Sequence, residues 1–72
     1  MDPRIGFIEA ELNRLSLTAQ SAWILFNQWK QNEQDGVSPA IPAQSIGTMK
    51  FYVNGMRLDL NTIEEILDSA GD

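Results

Sequence analysis

The sequence predicts an α+β fold in a single domain over residues 1–72. Its expected parts are a long helix over roughly 3–30, a linker over 31–47, a β-hairpin over 48–60 and a short helix over 62–70. Three observations carry this. Ile5, Ile8, Leu12, Leu15, Ala19, Ala22, Phe26 and Trp29 recur at alternating steps of three and four, which places one apolar seam along a helix. Asn54-Gly55 sits between two runs of alternating apolar and polar residues, the pattern of a two-residue hairpin turn. Asn61-Thr62-Ile63-Glu64 has the spacing of a capping box that opens a last helix.

Asp2-Pro3 starts the first helix, because Asp can accept from free amides and Pro is preset for the first helical position. Ser16-Leu17-Thr18 offers an alternative break into two shorter helices. The seam keeps its phase through Leu15 and Ala19 and favours one continuous rod. Such a rod would be roughly 42 Å long at 1.5 Å per residue. A compact domain of this length would be only about 30 Å across. The seam therefore calls for a partner, and self-association through Ile8, Leu12, Leu15 and Trp29 is the expectation.

Gln31 to Asp35 ends the helix, Gly36 suits a C-terminal turn, and Pro39 and Pro42 keep the crossover irregular. In the hairpin register set by Asn54-Gly55, Val53 would pair with Met56, Phe51 with Leu58 and Met49 with Leu60. The last helix would bury Ile63, Ile66 and Leu67 and end at Gly71. The run Ala22-Trp23-Ile24-Leu25-Phe26 is apolar around the whole helix and is expected to be covered on every side.

The chemistry on offer is narrow. The chain has no Cys and no His, which removes thiolate and imidazole metal sites and the usual nucleophile arrangements. Phosphate-cradling glycine motifs are missing, and no acidic run has the spacing of a calcium loop. No catalytic residue, cofactor or metal is expected. Ten acids against five basic residues give a net charge of −5, which disfavours direct contact with nucleic acid or an anionic membrane surface. Neither a signal peptide nor a membrane-spanning run is read in the sequence, and a cytoplasmic setting is expected.

What remains is a small acidic, non-enzymatic interaction protein, a regulator, adaptor or inhibitor, forming a homodimer. The alternative is a structural assembly subunit of a virion or larger complex. Asp59, Glu64, Glu65 and Asp68 form a candidate face for another protein with a basic surface. The order long helix, hairpin, short helix resembles, in outline only, small phage head-completion proteins and small phage inhibitors.

Overall fold

Residues 2–71 are described by the computed structural model. They form α1 (Pro3–Gln34) and α2 (Ala43–Ala70), with no strand among them. The α+β expectation is overturned: the chain is an all-α helical hairpin, 53 × 17 × 15 Å in extent. Its radius of gyration is 16.5 Å, against about 11 Å for a compact domain of this length.

The start of α1 follows the sequence. Asp2 caps the helix, its Oδ1 accepting from the Arg4 amide at 3.0 Å, and Pro3 occupies the first turn. Hydrogen bonds from the Arg4 guanidinium to both carboxylate oxygens hold the Asp2 carboxyl down at about 2. The ionised cap is thus complete above the ordinary carboxylate range near pH ~4 and is lost as pH falls through about 2.

Ser16-Leu17-Thr18 does not break the helix. Thr18 Oγ1 donates to the Arg14 carbonyl and Ser21 Oγ to the Leu17 carbonyl. Both hydroxyls bond back to the preceding turn, so neither competes with the helix as a cap.

The helix runs on to Gln34, beyond the expected end near residue 30, and stops in a Schellman arrangement. Asp35 is the C-cap and Gly36 follows at φ 72°. The Val37 amide bonds the Asn32 carbonyl and the Gly36 amide the Glu33 carbonyl. Here glycine is required, since a side chain is strained at that φ. The connection is only residues 35–42, half the expected linker, and contains a cis Ser38-Pro39 bond.

The hairpin prediction fails because a longer-range pattern outweighs the turn signal. Ile46, Met49, Val53, Met56, Leu60, Ile63, Leu67 and Ala70 recur at steps of three and four, straight through Asn54-Gly55. The apparent two-residue alternation arises when Phe51 and Leu58, on another face of the helix, are read together with this series. Gly55 lies inside α2 without a positive φ; among the described residues only Gly36 has one. The capping box also dissolves into the helix interior, where Thr62 Oγ1 donates to the Leu58 carbonyl.

The helices run antiparallel. Trp29 Nε1 donates to Ser45 Oγ at 2.8 Å, Ser45 Oγ donates to the Pro42 carbonyl, and Asn32 Nδ2 bonds the Ala40 carbonyl. These bonds pin the loop end and set the register. Equal steps along both helices from Trp29–Ser45 bring Ile8 to the level of Ile66, Leu15 to that of Asp59 and Ala22 to that of Tyr52, in keeping with Arg14 standing beside Asp59.

Replacing Gly55 with Ala separates helix from turn. A Cβ there meets nothing within 4 Å, so the substitution should stabilise the fold by up to ~1 kcal/mol. Thermal melts followed by circular dichroism should show a higher Tm; a drop would indicate that this position is a turn.

Candidate functional site

Each helix has a half-buried line facing the other. On α1 it runs through Ile8, Glu11, Leu15, Thr18, Ala22, Leu25 and Trp29; on α2 through Ser45, Met49, Tyr52, Met56, Asp59, Ile63 and Ile66. The two edges of this seam differ sharply.

On one edge stand Ile5, Leu12, Ala19 and Phe26 of α1, each four residues beyond or three before a seam residue. Ile46, Val53, Leu60 and Leu67 of α2 are their equivalents. In an antiparallel pair, positions so related lie on the same side of both helices. With the apolar seam residues behind them they form one continuous slab. It contains both series of steps three and four, eight residues from each helix, none of them polar. The slab is uncovered: Leu12 is 51% exposed, Leu60 54% and Leu67 55%. No apolar residue among those described is fully buried in a closed core, and those of the seam are half-buried.

The expected cover over Trp23 to Phe26 is missing as well. The Trp23 and Phe26 rings stack with centroids 5.4 Å apart at the edge of the slab. Trp23 is 63% exposed and Ile24 lies in solvent.

The opposite edge mixes charged and apolar residues. Glu11, Arg14, Thr18 and Ser21 from α1 and Gly55, Asp59 and Thr62 from α2 line a groove of about 490 Å³, and Leu17, Phe51, Tyr52 and Leu58 complete its lining. Asp59 is the only buried residue among those described, at 5% exposure. Arg14 Nη1 stands 3.7 Å from Asp59 Oδ1 and 3.6 Å from Glu11 Oε1, beyond good hydrogen-bond length. Asp59 Oδ2 is buried and accepts no hydrogen bond. Two carboxylates thus share one largely exposed guanidinium.

The residues expected to mediate self-association divide between two roles. Ile8, Leu15 and Trp29 face α2 of the same chain, and Leu12 stands on the exposed slab. The expectation of a compact domain only about 30 Å across does not hold, because α2 runs beside the seam as a helix of 28 residues. The expected acidic face also divides. Glu64, Glu65 and Asp68 lie in solvent near the end of α2, whereas Asp59 is withdrawn into the inter-helix seam. The residues missed were the slab members of α2, whose spacing was present in the sequence but was masked by Asn54-Gly55.

Among the described residues no three acids are grouped to hold a metal ion, and no helix is long and apolar enough to cross a membrane. No family model, curated protein or solved structure matches the chain.

Asp59 gives a direct test of the seam. Replacing it with Leu removes a buried carboxylate with an unsatisfied oxygen, a feature that costs ~1–3 kcal/mol. Urea unfolding of Asp59→Leu should show a gain of about 1 kcal/mol or more. A loss of similar size would mean that Arg14 and Glu11 hold Asp59 more favourably than their distances suggest.

Proposed function

We propose that the chain is a non-enzymatic protein–protein interaction protein that self-associates and acts by helix packing, as a regulator, adaptor or inhibitor. The observation that carries this reading is the slab, a sixteen-residue apolar face whose seam residues are only half-buried and whose outer stripes, Leu12, Leu60 and Leu67 among them, stand exposed. Exposed apolar surface of this extent, contiguous and rimmed by polar residues, marks an interaction site. Residues 5–29 span roughly 36 Å of α1, and the hairpin is 17 Å wide. That gives a flat footprint on the order of 600 Å² before side-chain relief is added, close to the ~800 Å² per partner of a standard interface. Glu65 and Asp68 stay clear of the slab, with Glu64 at its rim, and this exposed acidic face is available to a basic partner, whose approach it would speed more than it would tighten binding. A chain without Cys suits a reducing compartment such as the cytoplasm.

One observation favours the assembly-subunit reading. Leu17, Ile24, Phe51 and Leu58 are also exposed, on the side away from the slab. A subunit with two apolar faces can extend beyond a dimer.

Sedimentation equilibrium at about 100 µM separates these readings. A dimer is expected, and it should be lost in Leu12→Asp and Leu60→Asp but retained in Leu58→Asp. Larger species abolished by Leu58→Asp would support the assembly subunit. A folded monomer would contradict both.

A further inference from the structure

We infer that the slab is covered by a second copy of this chain lying with its loop at the opposite end, so that four helices form a two-fold symmetric, all-antiparallel bundle. This rests on the self-association proposed above and adds the orientation.

Two face-to-face arrangements satisfy two-fold symmetry. With both loops at one end, α1 lies over α2 of the second copy. With loops at opposite ends, α1 lies over its own copy and so does α2. Charge on the slab's rim distinguishes them. Glu9 and Lys30 flank the slab on α1, and Lys50, Arg57 and Glu64 flank it on α2.

With loops together, Glu9 stands beside Glu64 of the second copy, twice, a like-charge contact at the rim. With loops apart, Lys50 stands beside Glu64 of the second copy, also twice. Arg57 meets its own copy near the two-fold axis, where both side chains are exposed and can separate. Opposite charges across an interface set its orientation in this way.

Shape gives the same answer. The slab is thick at its loop end, where Trp23, Phe26 and Trp29 stand, and thin at the terminal end, where Ile5, Ile8 and Ala70 stand. With loops together all six large rings would gather at one end and the helix pairs would diverge. With loops apart each thick end covers a thin one, so both ends fill to similar depth.

The two orientations place the loops very differently. The two-fold axis passes between the Leu12–Leu60 and Ala19–Val53 levels, about 28 Å from the end of α1 at Gln34 at 1.5 Å per residue, with residue 37 just beyond it. A spin label at Val37→Cys, the only thiol in the variant chain, should give an inter-label distance of about 60 Å by pulsed electron resonance. Lys50→Glu should weaken the dimer roughly tenfold in sedimentation, and adding Glu64→Lys should restore it.

A dimer with labels within about 25 Å, or one unaffected by Lys50→Glu, would overturn the orientation while leaving self-association intact. Absence of any dimer in the unmodified chain would overturn both.

Discussion

A pair of helices shares only one line of contact, and everything else about this protein depends on that constraint. A line of contact shields each side chain on one side only. Every apolar residue on the seam is therefore half-covered, and most of the neighbouring apolar stripes stand exposed. Burial of apolar surface is the main favourable term in folding. A hairpin of 32 and 28 helical residues must also fix about one to two kcal/mol of backbone entropy per residue. The two requirements are met together when a second apolar surface closes the slab, which is why fold and proposed function are hard to separate here.

The polar residues on the seam fit the same account. If both edges had to be buried, Glu11 and Asp59 opposite Ile63 and Leu15 would be difficult to explain. They stand toward the groove edge, where Arg14 reaches both from solvent. The slab edge has no such residue. The hairpin thus has one wholly apolar edge and one edge that carries charge, and Asp59 stands toward the latter at some cost in stability. At the loop end, the Trp29–Ser45 and Asn32–Ala40 bonds hold the register of the two helices. Buried polar contacts often serve in this way, fixing one alignment among several that the apolar residues alone would tolerate.

The first helix was legible in the sequence because its signals agree: Asp2 as cap, Pro3 in the first turn, an unbroken seam and Gly36 beyond its end. The second was not, because its local signals contradict its long-range pattern. Asn54-Gly55 is a strong two-residue hairpin signal, and Met49, Phe51, Val53 and Met56, Leu58, Leu60 alternate on either side of it. Asn61 and Glu64 then mimic a helix start. Glycine and asparagine in α2 are tolerated because packing along the Ile46-to-Ala70 series outweighs a propensity cost of about 1 kcal/mol per glycine. Counting that series against the helical period distinguishes the two, since all eight members fit it. The expectation of a partner was drawn from α1 alone. The exposed apolar series of α2 was not foreseen, because it follows only once residues 43–70 are one helix.

The central claim is that covering the slab and forming the helices are one event. Helical circular dichroism measured across a dilution series from about 100 µM to about 10 nM tests it most directly. The account predicts that helicity falls cooperatively on dilution, with a midpoint set by the dimer's dissociation constant. Undiminished helicity across the whole range, with sedimentation showing monomers throughout, would contradict it.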